Sequence, residues 1–369
     1  MREIIERFRL DDRAMRYSQF VPRLYNFCLS LGFHREKMMP SRAFCSDESQ
    51  GYPIILIAQH FGTFPFDHGQ VGGRVATDRH GPHGDHGEDL VIVQASHVGY
   101  DAATKRFGVY QRQRTNAREF GDNCGKLCAV MHWYREEYRH ACEHIWYGML
   151  DDKPAIFLDN QFLDDGRREG LFLNLDRLID DSDRPLGVFS TSRAFRAAPG
   201  FIARTADASW PRTPDFIGNL LSADLFFFRR GTVEGPEGHD LLERALAPAM
   251  PALVTSPLPA LEAARFHTQV EFDRTYRSIR RESGYRGKNI LFISGLNIDI
   301  SPHAGLPFPL TKFVPWAAYV RLCDGKSFHL EQDELIAALK RQPIDNPDRM
   351  SFDAAIAAMT EADEVAIRI

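Results

Sequence analysis

Leu90-Val91-Ile92-Val93-Gln94-Ala95-Ser96-His97 is the stretch on which the fold turns. From Leu90 to Ser96 the chain is short, mostly apolar and rich in β-branched side chains, which predicts a buried strand with His97 just past its end. Upstream, Tyr52 to Gln59 is as dense in Ile and Leu and reads as a second buried strand. Between them runs Gly62-Thr-Phe-Pro-Phe-Asp-His-Gly69-Gln-Val-Gly-Gly73, whose glycines let a backbone pass close to another group or take positive φ. Residues 2 to 32 carry Ile5, Phe8, Met15, Phe20, Leu24, Phe27 and Leu31 at helical spacing and predict two helices broken near Val21-Pro22. Residues 125 to 150 predict one long helix starting beside Cys124. Further strands are expected at Ala155 to Leu158, Gly187 to Phe189 and Ile290 to Ile300. Strands alternating with helices give an α/β layer architecture.

Composition sets the outer limits. The 369 residues, 44% hydrophobic and 26% charged, can bury a large core, as one big α/β domain or two smaller ones. A formal charge of −5 and a pI near 6.3 argue against a nucleic-acid surface, and the cluster Arg277, Arg280, Arg281 and Arg286 reads as a charged helix face. The amino terminus interleaves charges with apolar residues, so no signal-peptide core is expected, and no run approaches the roughly 20 apolar residues of a membrane span. A cytoplasmic location is the expectation. The six cysteines then serve as thiols or metal ligands rather than bridges.

Chemistry enters with Cys45, His97 and Cys124. Two soft thiolates and one imidazole suit Zn²⁺, and three protein ligands leave the fourth tetrahedral position to water, the design of a catalytic site. Such a set carries no net charge with the ion, so it acidifies water less than an all-histidine site and needs a helper. Asp47 is the candidate, either accepting a hydrogen bond from the bound hydroxide or ligating the metal itself; Arg42, Arg74 and Arg79 are the nearby arginines that can hold its carboxylate. Cys128 competes with Cys124 one helical turn away. Cys28, Cys142 and Cys323 read as core residues. In the loop from Asp78 to Asp89, the histidines could bind a metal by themselves, but His83 and His86 read as exposed polar groups.

Taken in order, Cys45-Ser-Asp47-Glu48, Gly62-x-x-Pro65-Phe66 with Gly69 and Gly72, His80, Leu90-Val-Ile-Val-x-x-Ser-His97-Val-Gly99 and Cys124-Gly125 resemble the limiting-CO2-inducible B/C proteins, a divergent β-type (theta) group of zinc carbonic anhydrases. Leu291-Phe-Ile-Ser-Gly-Leu-Asn297-Ile followed by Pro307-Phe-Pro is similar to a closing strand of that family. The resemblance covers roughly residues 25 to 130 and 288 to 320. It implies a β-carbonic-anhydrase-like mixed sheet flanked by helices, zinc on Cys45, His97 and Cys124, and a homodimer. The implied reaction is reversible hydration of carbon dioxide to bicarbonate, with zinc-bound hydroxide as nucleophile oriented by Asp47, and His80, placed where the family also tends to carry a histidine, lining the pocket or shuttling the proton. Phe64, Phe66 and Val98 are expected to line the small apolar pocket. The wider β class carries an arginine two residues beyond the aspartate, where this chain has Ser49. An inactive zinc-binding homologue acting in assembly, or a zinc hydrolase of another small carbonyl-like substrate, therefore stays open. A single domain is expected, with residues 1–44 as a helical entry, 45–194 and 266–330 as core, 195–265 as an insertion and 331–369 as a helical tail.

Overall fold

The computed structural model describes residues 7–75, 89–111, 120–163, 171–181, 184–206, 209–228, 240–302 and 309–362. The chain divides into two compact units, residues 3–126 with 264–369, and residues 1–2 with 127–263. The expected α/β class, a central mixed sheet flanked by helices, is what the first unit forms.

That sheet contains β1 (Met15–Arg16), β2 (Met38–Ala43), β3 (Phe66–Asp67), β4 (Asp89–Asp101), β5 (Arg106–Phe107), β8 (Asn289–Ile300), β9 (Leu310–Arg321) and β10 (Ser327–Leu330). The hairpin strands β6 (Val109–Gln111) and β7 (Phe120–Asp122) follow β5 in the chain. The order β1-β9-β8-β4-β2-β3 is parallel from β8 to β3 and antiparallel at β9 and β1. Strand β4 lies at its middle. Its side chains alternate into two apolar layers: Val91, Val93 and Ala95 join Phe20, Leu24, Leu56 and Ile57 on one face, while Leu90 and Ile92 join Ile279, Tyr285 and Phe292 on the other. Burial on both faces explains why the run does not alternate with polar residues.

Several sequence expectations are corrected. Strand β4 continues through Val98, Gly99 and Tyr100, which pair with Ile298, Asp299 and Ile300, so His97 lies inside the strand rather than past it. The segment read as a strand at Tyr52 to Gln59 is helix α2 (Gly51–Phe61). Pro53, Leu56, Ile57 and His60 form its buried stripe, Pro53 sits in the first turn, and Gly62 closes it at φ 74°; these are helix signals that outweigh the β-propensity of isoleucine. Helix α1 (Tyr17–Ser30) runs unbroken through Pro22. The lost N–H would have paired with Ser18 in the first turn, a loss near the helix end. The helix beside Cys124 is α3 (Gly125–His144), and Ile145–Leu150 is a strand. Strand β9, unforeseen, contains Pro315 opposite Gly295, where the register slips in a bulge, a position that tolerates proline within a sheet.

Helix α4 (Pro259–Arg281) precedes β8, and α5 (Gln332–Lys340) and α6 (Phe352–Glu361) follow β10. The second unit holds an antiparallel sheet in the order Gly187–Val188, Ser192–Arg196, Lys153–Asp159, Ile145–Leu150, Asp215–Phe216. Ala155, Phe157 and Ala194 pack beneath Trp146, Leu150 and Leu186. Among the described residues no helix is long and apolar enough to cross a membrane.

Candidate metal centre

Three elements deliver three ligand atoms to one point. Strands β2 and β4 are parallel neighbours with Ala43 opposite Gln94, so Cys45, two residues past the end of β2, arrives near the level of Ser96, next to His97. Cys124 follows β7 and immediately precedes α3. The hairpin of β6 and β7 is tied to β4 through Gly99, whose N–H donates to the Asn123 carbonyl at 2.8 Å while its own carbonyl accepts from Gly108 at 2.9 Å. A Cβ on Gly99 would lie 2.4 Å from the Val109 oxygen, so only glycine admits this approach.

The two sulfurs stand 4.0 Å apart, and the ligand atoms of Cys45, His97 and Cys124 all lie within 4.8 Å of one another. Two thiolates at about 2.3 Å from a tetrahedral zinc would be about 3.8 Å apart, so the spacing fits. All three side chains are buried, at 5%, 0% and 2% exposure. A glycine loop closes over Cys45: the Gly72 N–H donates to its Sγ at 3.3 Å, and a Cβ on Gly69 or Gly73 would fall 2.1 Å from the Phe44 oxygen or 2.2 Å from the Ala95 oxygen.

His97 is oriented from behind. Its Nδ1 lies 2.8 Å from Asp299 Oδ2, a carboxylate with no solvent exposure. Asp299 also accepts from Ser49 Oγ at 2.8 Å, from Gln50 Nε2 at 2.9 and 3.0 Å, and from Thr311 Oγ1 at 3.1 Å. Gln50 is fixed by Asn297, which accepts in turn from the Tyr17 hydroxyl at 2.7 Å. With Nδ1 engaged, Nε2 is buried without a hydrogen-bond partner. A buried polar nitrogen without a partner is costly, and a metal ion beside two thiols resolves it.

Electrostatics point the same way. Cys45 is brought down to about 3, first by its hydrogen bond with Cys124, against burial, and with help from His97 and the Gly72 N–H. Cys124 is pushed up by that same hydrogen bond and by burial. Burial alone would push His97 down, but the charge of Cys124 and hydrogen bonds to Asp299 and the two sulfurs outweigh it and push it up. The cluster thus favours one thiolate, at Cys45, beside a thiol and the imidazole of His97.

The three expected ligands are brought together, and Cys128, one turn on, is not in the group. Asp47 lies two residues from Cys45 and accepts from the Ser49 N–H at 3.0 Å, forming the turn that leads into α2. Arg42 pairs with Asp67 at 2.6 Å and Arg74 donates to Gln70 at 2.8 Å. His80, His83, His86 and Arg79 lie outside the described residues. Phe64 does not enclose a pocket: it is 66% exposed and packs edge-on against Phe352. Sequence reasoning missed Asp299 and its supporters. The available signal was Asn297-Ile-Asp299 in an otherwise apolar strand, two polar residues at period two facing one side.

No protein-family model matches the chain, and no curated protein matches it in sequence. Solved structures do. A mutant of PtLCIB4, a homolog of the limiting CO2-inducible protein LCIB, superposes with a TM-score of 0.50 at 11% identity, covering 86% of this chain and 93% of that one. Unmodified PtLCIB4 gives 0.49 at 12% identity, covering 90% and 99%, and LCIB itself 0.45 at 12%, covering 89% and 98%. At the identity of the first, the likeness is one of fold.

Proposed function

We propose that this chain is a zinc-dependent carbonic anhydrase that interconverts carbon dioxide and bicarbonate. The observation that carries the reading is the buried pair of sulfurs facing the partnerless Nε2 of His97, a donor set suited to zinc with one position open. The fold it shares with a homolog of the limiting CO2-inducible protein LCIB agrees with the family resemblance from which the reaction is inferred. A zinc ion held by Cys45, His97 and Cys124 supplies Lewis acidity, lowering the cost of taking a proton from water near neutral pH. Asp47, two residues from Cys45 and fixed by its bond from the Ser49 N–H, is the group proposed to orient the attacking water oxygen towards the carbon. Water adds to carbon dioxide as bicarbonate and releases one proton, which His80 passes to buffer. Asp299 holds His97 in the tautomer that keeps Nε2 free to ligate. On this reading the enzyme is a cytoplasmic homodimer.

One observation favours a second reading, a zinc-binding protein without turnover. Ser49, where the β class has arginine, is buried and committed to Asp299, so the familiar partner of Asp47 is absent from that position. Stopped-flow carbon dioxide hydration with zinc-loaded protein separates the two. A rate above the buffer blank that falls on Asp47→Ala supports catalysis; a rate equal to the blank with one zinc per chain overturns it.

A further inference from the structure

Away from the sulfur cluster, a cavity of about 1090 Å³ opens where β4 and β8 end, lined by Arg16, Tyr17, Tyr52, Asp101, Thr311 and Lys312 among others. None of the three metal ligands lines it. The cavity brings together two cations that the sheet forces into opposition: β1 pairs antiparallel with β9 so that Arg16 and Lys312 are direct cross-strand partners. Like charges in that position repel and destabilise the pair. Neither residue makes an ion pair or a side-chain hydrogen bond with any described residue. Among the described lining residues the one carboxylate, Asp101, is buried and accepts from the Thr104 N–H at 2.7 Å and its hydroxyl at 2.6 Å.

From this arrangement we propose that the cavity binds a phosphate monoester of nucleotide size, with Arg16 and Lys312 on the phosphate. Guanidinium offers a two-point fit to phosphate oxygens and ammonium a point charge, so a dianion converts the repulsive pair into a clamp. The volume far exceeds a bare inorganic ion and matches pockets that hold organic ligands. Tyr52, Ile300 and Leu310 supply apolar wall for the rest of such a ligand, and Gln111 and Ser301 supply polar edges.

No metal ligand lines the site, although Tyr17 and Thr311 on its wall also belong to the network behind His97, and the test keeps the two proposals separate. The full chain is titrated calorimetrically with adenosine 5′-monophosphate, adenosine and inorganic phosphate. The monophosphate is expected to bind saturably and more tightly than phosphate, with adenosine silent. Arg16→Gln and Lys312→Gln should each weaken it by about tenfold or more, while Cys45→Ser leaves it unchanged. Lys312→Glu should abolish binding and raise thermal stability by pairing with Arg16, a readout that misfolding cannot imitate. No saturable binding of any probe, or undiminished binding to the doubly substituted R16Q and K312Q protein, overturns the site. Monophosphate binding no tighter than inorganic phosphate overturns the organic ligand.

Discussion

Asp299 Oδ2 sits 2.8 Å from His97 Nδ1, across two parallel strands and with neither side chain exposed to solvent. A carboxylate behind a ligating imidazole fixes the tautomer and raises the basicity of the other nitrogen. Asp299→Asn keeps the shape but loses the charge, and is expected to weaken metal affinity by about 10- to 100-fold. Competition with a chromogenic chelator measures it. Affinity equal to the parent protein would remove Asp299 from the metal's support.

Metal content should follow each ligand singly. Purified protein is expected to carry one zinc per chain, lost on Cys45→Ser, His97→Gln or Cys124→Ser and retained on Cys128→Ser. Since binding to the folded state alone adds stability, chelator treatment should lower the melting temperature of the parent and leave the three ligand variants unmoved. Elemental analysis and calorimetry on the same samples decide the matter.

The glycines around Cys45 and Cys124 give a graded series. Gly73→Ala combines φ +81° with a Cβ 2.2 Å from the Ala95 oxygen, and Gly99→Ala meets the Val109 oxygen at 2.4 Å; both should destabilise by several kcal/mol, about the scale of severe core substitutions. Gly62→Ala, with φ +74° and open space, should cost about 1 kcal/mol. Gly125→Ala, in α3 with nothing within 4 Å, should be neutral or mildly stabilising. Urea unfolding of the four variants ranks them.

Two histidines unconnected with the metal set an acid limit. Burial, then Arg42, holds His68 down to about 3, and burial, then Arg349, holds His60 down to about 4. Both pKa values are depressed below the ordinary 6.5, so the unfolded chain takes up protons that the folded chain refuses. Their contribution is complete above about pH 6.5 and is lost progressively as pH falls towards 4 and then 3. His68→Asn should therefore show a shallower loss of stability than the parent protein between pH 6.5 and 4. An identical slope in parallel denaturation series would refute the assignment.

Legibility from sequence was uneven for physical reasons. The strand at 290–300 declared itself by local pattern, and the grouping of Cys45, His97 and Cys124 by chemical type and family resemblance rather than by their long spacing. Tyr52 to Gln59 misled because a short apolar run suits strand and helix alike, and the deciding signals, Pro53 and Gly62, lay at its ends. Strand β9 was hidden by Pro315, which only the bulge opposite Gly295 makes acceptable. Asp299 was unreadable as a support for His97 because the two are 202 residues apart and meet only through strand register.

The burial of the cluster has a further consequence for how an ion gets in. With Cys45, His97 and Cys124 almost sealed and the glycine loop resting on the first sulfur, loading cannot be a simple encounter at an open surface. On the proposed reading, uptake requires the loop or the hairpin to lift, so refilling is expected to be gated by local opening. Stripped protein should reload slowly in buffer and faster in mild urea; prompt filling in buffer alone would mean an open door.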